Sequence, residues 1–143
     1  MGILSDLVVA GEGDANLVCH TLNPATTFGG IDIKGIDSTK FESLDQILTG
    51  RTRDQSSALF DPLVCASVNG PWVFRIPEDL VVRLGTLSAS EQVETAEIWL
   101  QTEEEFKFEI WDPDAVKQYL ASICTLARRA GASQQALYLW MSL

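Results

Sequence analysis

The segment of residues 28–50, FGGIDIKGIDSTKFESLDQILTG, constrains the fold more than any other part of the chain. In its first half Ile31 and Ile33 alternate with charged residues, which is the period of a strand with one buried face. In its second half the apolar residues recur at helical spacing. The segment therefore predicts a short strand that leads into an amphipathic helix.

The predicted helix has recognisable signals at both ends. Residues 37–39, Asp-Ser-Thr, are typical of a helix start, and Thr39 with Glu42 has the spacing of a capping box. Gly50 has the place of a left-handed C-cap. The apolar face between these signals consists of Phe41, Leu44, Ile47 and Leu48.

The glycines of this segment raise the question of phosphate binding. A dinucleotide fingerprint places its glycines between a strand and a helix, whereas Gly29 and Gly30 precede the strand and Gly35 is alone. Gly30 and Gly35 have the spacing of a P-loop, but the lysine and the Ser or Thr that should follow are missing. Asp37 would moreover repel a phosphate. We expect an architectural role for the segment and no bound cofactor.

The rest of the chain alternates between short apolar strands and helices with capping signals. In chain order the patterns predict a strand or helix start in LSDLVVA, a helical turn at 14–20, a polar loop at 51–57, a strand at 72–76, a helix that begins at Pro77, a helix from the Ser88–Glu91 capping box to about Glu105, a strand at 106–111, a helix at 114–130 ended by Gly131, and a strand in ALYLWMSL. Since that last strand is apolar on both faces, we expect it inside a sheet.

These elements predict one α+β domain over residues 1–143, with a small mixed or antiparallel sheet packed with about four helices. The length of 143 residues is typical of one domain. No internal repeat and no linker rich in proline or glycine divides the sequence.

Acidic residues are concentrated in one part of the chain. The net charge is −10, and between Ser88 and Ala115 nine acids stand against one base, Lys107. Because this charge repels phosphate groups, it argues against a nucleic acid or an anionic membrane surface as a partner. It is compatible with a protein partner that has a basic surface, or with a solvated helix face. We expect the acidic triplet at 103–105 to be exposed, and the candidate partner-binding residues are Glu94, Glu97, Glu103, Glu104 and Glu105.

Patterns for catalysis or metal binding are weak. His20 is the single histidine, and no G-x-S-x-G elbow supplies a nucleophilic serine. Its neighbour Cys19 is expected to point away from it, so the two do not predict a nucleophile and base. They also lack a third ligand at a recognised spacing, so we expect no metal site. The sequence favours a protein that is not an enzyme.

Several features predict a cytoplasmic protein. The cysteines, at positions 19, 65 and 124, are odd in number and widely spaced, which indicates reduced thiols. No run of about 18 apolar residues could span a membrane, and the N-terminus lacks the basic region of a signal peptide. Myristoylation of Gly2 is not expected, because Asp6 stands where a Ser or Thr is required.

A small basic cluster follows the helix that ends at Gly50. Arg51 and Arg53 could bind an acidic ligand, or they could belong to a solvated loop. The strand GPWVFRIP brings aromatic side chains that could pack in a core or line a ligand groove. The candidate ligand pocket therefore consists of Thr49, Arg51, Arg53 and Trp72.

Three short motifs carry a family resemblance. They are Leu48-Thr49-Gly50 at the helix end, Phe60-Asp61-Pro62-Leu63, and a long helix that runs into a terminal apolar strand. In these motifs the chain resembles the YfbM-like family of uncharacterised bacterial proteins, although it has Phe41 and Asp45–Gln46 where that family has aromatic and histidine residues. The resemblance implies an α+β fold and a bacterial cytoplasmic setting, and it implies no catalytic activity.

Two functional hypotheses follow from these patterns, and the apolar C-terminal strand leaves open a third, a purely structural or oligomer-forming subunit. The leading one is an acidic regulatory protein without enzymatic activity that binds a protein partner, as immunity or inhibitor proteins do. The alternative is a small-molecule-binding protein or an unrecognised enzyme, with a pocket near Thr49–Arg53 and Trp72.

Overall fold

A five-stranded antiparallel sheet organises the fold in a computed structural model that describes residues 3–143. Gly2, the residue considered for acylation, lies outside the described residues. The strands are β1 (Leu4–Ala10), β2 (Ile31–Asp32), β3 (Val64–Cys65), β4 (Trp72–Arg75) and β5 (Ala136–Ser142). They lie in the order β2-β1-β5-β4-β3, and all neighbours are antiparallel. Strand β5, the last in the chain, therefore lies inside the sheet, which confirms the prediction from its two apolar faces.

Eight helices belong to the described part of the chain. They are α1 (Ala15–Cys19), α2 (Pro24–Phe28), α3 (Ser38–Thr49), α4 (Arg53–Leu59), α5 (Glu78–Thr86), α6 (Ala89–Thr102), α7 (Glu104–Phe108) and α8 (Pro113–Ser133). Four of them, α3, α5, α6 and α8, have nine residues or more. The α+β class is confirmed, and these four are the helices that the periodicity predicts.

The two faces of the sheet bury two different clusters. In the long β1–β5 pairing Leu7 lies opposite Leu139, and Val8 lies opposite Tyr138. Because side chains alternate along a strand, the leucine pair enters the main core with α3, α5, α6 and α8. The second pair enters a smaller cluster with Val18 of α1. Both strands are therefore buried on both sides.

The long helix α8 covers the main core with a regular apolar face. Val116, Leu120, Ile123 and Ala127 are all buried, at the spacing of one side of a helix. Cys124 is buried beside them, and burial raises the pKa of its thiol to about 11. It is a small core residue, as its place in the pattern predicts.

Helix α3 forms where the sequence predicts it, but its N-cap is different. The side chain of Asp37 accepts a hydrogen bond from the Lys40 amide at 3.0 Å, so Asp37 is the N-cap and the predicted Thr39 capping box is wrong. Asp37 precedes Thr39 in the chain, and its carboxylate satisfies a free amide of the first helical turn, so Asp37 acts as the N-cap. Gly50 ends the helix with φ +76°, which confirms the predicted left-handed cap.

Two of the predicted elements are wrong in type. Residues 51–57 were expected as a loop, yet Thr52 and Gln55 form a capping box that starts α4. Residues 106–111 were expected as a strand, but Phe106 lies in the short helix α7. The preceding helix, expected to reach about Glu105, ends at Thr102. A segment of only one or two turns is too short for its apolar pattern to distinguish a strand from a helix.

The end of α8 also lies beyond its predicted stop at Gly131. The helix continues to Ser133, and Gln134 takes the left-handed conformation with φ +55°. The Gln135 amide donates to the carbonyl of Ala130 at 2.9 Å, which satisfies a carbonyl that the helix end leaves free. A glycine was therefore not required for this cap.

The glycine pair before β2 has an architectural role. Gly29 has φ +66° and ends α2, and Arg129 donates to its carbonyl at 2.8 Å. At Gly30 a Cβ atom would lie 2.1 Å from the carbonyl oxygen of Leu7 and 2.8 Å from Val8 Cγ1. The edge strand approaches β1 so closely that only glycine fits.

We expect Gly30→Ala to lower the free energy of unfolding by about 2–3 kcal/mol, because backbone must move to admit the methyl group. Gly13→Ala is the matched control, since a Cβ atom there would have no neighbour within 4 Å. Urea unfolding of both variants and the wild type checks this difference. Equal stability of the two variants would contradict the close approach.

Candidate functional site

The acidic window identified in the sequence covers α6, α7 and the start of α8. Glu94 and Glu97 are exposed on α6, and Glu104 is exposed on α7. Glu103 is only 9% exposed, so the expectation of an exposed triplet at 103–105 is wrong. Glu105 is partly buried. Of the five candidate partner-binding residues, three therefore face solvent.

Several carboxylates of this window have partners inside the protein. Glu103 caps α7, because its Oε1 accepts a hydrogen bond from the Glu105 amide at 3.2 Å. Glu91 completes the capping box of α6 with Ser88, as predicted. Glu97 lies 3.8 Å from the ammonium of Lys117. Some of these acidic side chains therefore stabilise the helices of this window.

The best-defined polar cluster surrounds Lys40, which is fully buried in α3. Its Nζ lies 2.9 Å from a carboxylate oxygen of Glu109, 3.2 Å from Glu105 and 3.7 Å from Asp37. It also donates to the Gly35 carbonyl at 3.3 Å. A buried ammonium requires this degree of compensation, since an unpaired charge in the interior is very costly.

Aromatic rings complete the surroundings of Lys40. Its Nζ lies 5.9 Å from the centroid of Phe106 and 5.5 Å from that of Trp111, within the range of cation–π attraction. The indole of Trp99 donates to the Lys40 carbonyl at 3.0 Å. Lys40 therefore connects α3 to α6 and α7.

The ionisation of the cluster follows from this geometry. Burial alone lowers the pKa of Lys40, but hydrogen bonds to Glu109 and Glu105 and the charge of Asp37 outweigh it, so the pKa is raised. Burial raises the pKa of Asp37. For Glu109 burial is outweighed by hydrogen bonds from Lys40 and Trp111, so its pKa is lowered. The lysine is thus held in its charged form.

Removing the carboxylates from this cluster should cost more than removing the lysine. The ammonium is buried, whereas Glu105 and Glu109 keep access to water. We expect Lys40→Met to lower the free energy of unfolding by about 1–2 kcal/mol. The double variant Glu105→Gln/Glu109→Gln, which leaves the ammonium with one carboxylate, should lose about 3 kcal/mol. Urea unfolding near neutral pH measures both.

The pH dependence of the Lys40→Met effect provides a control for this prediction. Because the folded pKa of Lys40 is raised above its ordinary value of 10.5, its stabilisation is complete below that pH and is lost as pH rises through the folded value. The stability gap between the wild type and Lys40→Met should shrink in that alkaline range, and it should also shrink in acid, where protonation of Glu109 removes the ion pair. A gap that stays constant in the alkaline range would contradict a charged, stabilising Lys40.

Helix α7 ends in a Schellman motif that contains an unusual residue. The Trp111 amide donates to the Phe106 carbonyl at 2.8 Å, and the Ile110 amide donates to the Lys107 carbonyl at 3.2 Å. The rings of Phe106 and Trp111 meet edge to face, with centroids 5.3 Å apart. Ile110 has φ +57° at the position where glycine is usual. For a β-branched residue this conformation costs roughly 1–2 kcal/mol.

Ile110 gains nothing from packing at this position. Both Ile110 and Phe108 are 89% exposed, so two large apolar side chains project into solvent. We call these two residues the α7 knob. Near the knob in the sequence, Glu104 and Asp112 are exposed carboxylates, and Lys107, directly before Phe108, is an exposed base. The knob is thus an apolar projection in the most acidic part of the chain.

Partial signals for these features are present in the sequence. Lys40 precedes Leu44 by four residues and so belongs to the apolar face of α3, which marks it as a buried charge. The knob was missed because a strand at 106–111 would place Phe106, Phe108 and Ile110 on one face. The short helix buries Phe106 alone and turns the other two outward.

Arg51 forms the second polar cluster of the molecule. Its Nε donates to Asp45 Oδ2 at 2.8 Å, and its Nη2 donates to Asp79 Oδ1 at 2.9 Å. Two further hydrogen bonds join the guanidinium to the second oxygen of each carboxylate. Asp45 is fully buried and also accepts from the Ser56 hydroxyl at 2.6 Å. The hydrogen bond from Arg51 lowers the pKa of Asp79.

Arg51 also lines an open groove of about 810 Å³ between α4, β4 and the start of α5, which we call the α4–α5 groove. Of the other pocket candidates, Thr49 contacts Arg51, accepting from its amide at 3.3 Å. Arg53 is exposed and lines a different depression, and Trp72 packs against the main core. The structure therefore does not bring the four residues together around one cavity. The groove is lined by Arg51, Leu59, Asp61, Leu63, Arg75, Pro77, Glu78, Asp79 and Val82.

Replacing Arg51 tests whether its ion pairs with Asp45 and Asp79 stabilise the fold. We expect Arg51→Met to lower the free energy of unfolding by about 3 kcal/mol, because it leaves the buried Asp45 without its counter-ion. Arg53→Met, at an exposed arginine in the same basic cluster, should change stability by less than about 0.5 kcal/mol. Guanidinium unfolding of the two variants compares them. If both lost the same amount, the Arg51 pairing would not be stabilising.

Cys19 and His20, the adjacent thiol and imidazole, differ in burial. Cys19 is buried, with its Sγ 3.7 Å from the Pro71 carbonyl, and burial raises the pKa of its thiol. The neighbouring His20 is exposed. The two side chains thus have different environments, as their adjacency predicts.

Two further findings concern residues 3–143. They contain no cluster of three or more His, Cys, Asp or Glu side chains that could hold a metal ion. In the same range no helix combines the length and the apolarity needed to cross a membrane.

The chain matches no family model, no curated protein and no solved structure. The resemblance to the YfbM-like family therefore stays a prediction from short motifs.

Proposed function

We propose that this chain is a protein-binding regulatory protein, of the immunity or inhibitor kind, that contacts its partner through the α7 knob. The partner would have an apolar pocket for Phe108 and Ile110, surrounded by basic side chains. Glu94 and Glu104, exposed and without an ion pair among residues 3–143, would face those bases. The free cysteines support a reducing, cytoplasmic setting.

The observation that carries this proposal is the strained and exposed Ile110. A left-handed conformation is costly for isoleucine, and here no packing offsets the cost, since the side chain is 89% exposed. Glycine or asparagine would satisfy the same Schellman motif with less strain. A large apolar side chain at this place is explained if another molecule buries it.

Charge supports the same class of partner. Nine acids against one base between Ser88 and Ala115 attract a basic surface and repel an acidic one. Such steering raises the rate of association and weakens with added salt. We therefore expect the complex to form fastest at low ionic strength.

The alternative of a small-molecule site or an unrecognised enzyme has less support. Arg51, its central residue, already makes four hydrogen bonds to Asp45 and Asp79. An acidic ligand would have to compete with both carboxylates for the same guanidinium. The wide, open groove likewise offers little exclusion of water for catalysis.

Ile110→Asn tests the proposal because it should separate stability from binding. Relief of the backbone strain should raise the free energy of unfolding by about 1 kcal/mol, measured by urea unfolding. The same change should reduce capture of a partner from native lysate, with the tagged protein as bait. Adding Phe108→Ser should abolish capture.

Leu22→Ser provides the matched control, since this leucine is also highly exposed and lies away from α7 in the sequence. It should leave capture unchanged. Equal capture by the wild type and the Phe108→Ser/Ile110→Asn variant, at low and at high salt, would overturn the proposal.

A further inference from the structure

The α4–α5 groove combines apolar walls with unpaired carboxylates. Leu59, Leu63 and Val82 line it and are each about half exposed or more. We propose that the groove binds an extended protein segment in which basic side chains alternate with apolar ones. This inference rests on the proposed function only for the class of partner, a basic protein, and it adds a second contact surface.

The two arginines of the groove are not available to an acidic ligand. Arg51 is held by Asp45 and Asp79 through four hydrogen bonds. Arg75 donates to Glu12 at 2.7 Å and forms an ion pair with the same carboxylate. Because both guanidinium groups are already neutralised, the groove lacks a free cation for a phosphate or carboxylate.

The remaining charges of the groove are negative. Asp61 and Glu78 line it, are exposed, and make neither an ion pair nor a side-chain hydrogen bond within residues 3–143. Asp79 and the buried Asp45 share one arginine, which leaves that triad with an excess negative charge. The complementary occupant is therefore cationic.

The shape of the groove favours a chain segment over a compact molecule. A second depression of about 320 Å³ continues from it and shares Arg75, Glu78 and Val82. It extends along α5 to Gln134 after the end of α8. An elongated, open site with apolar walls and acidic groups suits an extended peptide, whose alternate side chains point to opposite sides.

Nuclear magnetic resonance titration of the full chain tests the groove. The probes are two synthetic peptides, acetyl-Leu-Lys-Leu-Lys-Leu-amide and its counterpart with glutamate in place of lysine. We expect the lysine peptide to shift the backbone amides of Leu59, Phe60, Asp61, Leu63 and residues 78–82, and the glutamate peptide to leave them unchanged. Equal shifts with both peptides, or none with either, would overturn the proposal.

Variants then assign the binding to this surface. Asp61→Asn/Glu78→Gln should raise the Kd of the lysine peptide about threefold to tenfold, since exposed charge pairs contribute modestly. Asp54→Asn/Asp114→Asn makes the same change of net charge at exposed residues that line neither depression, and it should leave the Kd unchanged. Val82→Arg, at an exposed position of α5, should abolish binding while the thermal unfolding transition is retained.

The outcomes separate this inference from the proposed function. Shifts confined to residues 104–110 would overturn the groove and leave the knob as the contact surface. Groove shifts that persist in the Phe108→Ser/Ile110→Asn variant would support the groove, even if that variant captured partners as the wild type does. An equal loss of affinity in both double charge variants would indicate attraction by net charge alone and would overturn the groove.

Discussion

Strands β1 and β5, the first and the last, pair along their whole length at the centre of the sheet. Seven residue pairs join β1 to β5, from Leu4 and Ser142 to Ala10 and Ala136. With the chain ends held together in the middle of the sheet, every other element must be placed around them. Residues 31–32 extend the sheet on the β1 side, and β4 with β3 extends it on the β5 side. The four long helices then cover one apolar face.

Lys40 links this scaffold to the surface that we propose for function. It is buried in α3, and its ammonium contacts Glu105 and Glu109 on the two sides of the knob residue Phe108. The contacts hold α7 against the core while Phe108 and Ile110 project outward. Because the underlying Phe106 packs edge to face on Trp99 and Trp111, the projection has a rigid base. A preorganised contact surface loses less entropy on binding.

The accuracy of the sequence predictions follows the range of the interactions involved. Helix α3 and its stop at Gly50 were predictable, since periodicity and capping are local properties. The short α4 was also predictable in principle, because Thr52 and Gln55 have capping-box spacing. The strand expected at residues 106–111 was wrong, since alternation over six residues does not exclude a single helical turn. The four pocket candidates do not meet around one cavity, because Arg53 lines a different depression and Trp72 packs against the main core.

By itself the sequence determined the α+β class, the interior position of the last strand, the major helices and the acidic field between Ser88 and Ala115. Periodicity, capping signals and charge are properties of neighbouring residues, so they can be predicted from the sequence. Only the tertiary structure decided which charges are compensated and which apolar groups stay exposed. Glu105 is paired with Lys40, 65 positions away, while Ile110 is left in solvent. These outcomes depend on contacts between residues far apart in sequence. The free energies of such contacts cannot be inferred from local sequence patterns.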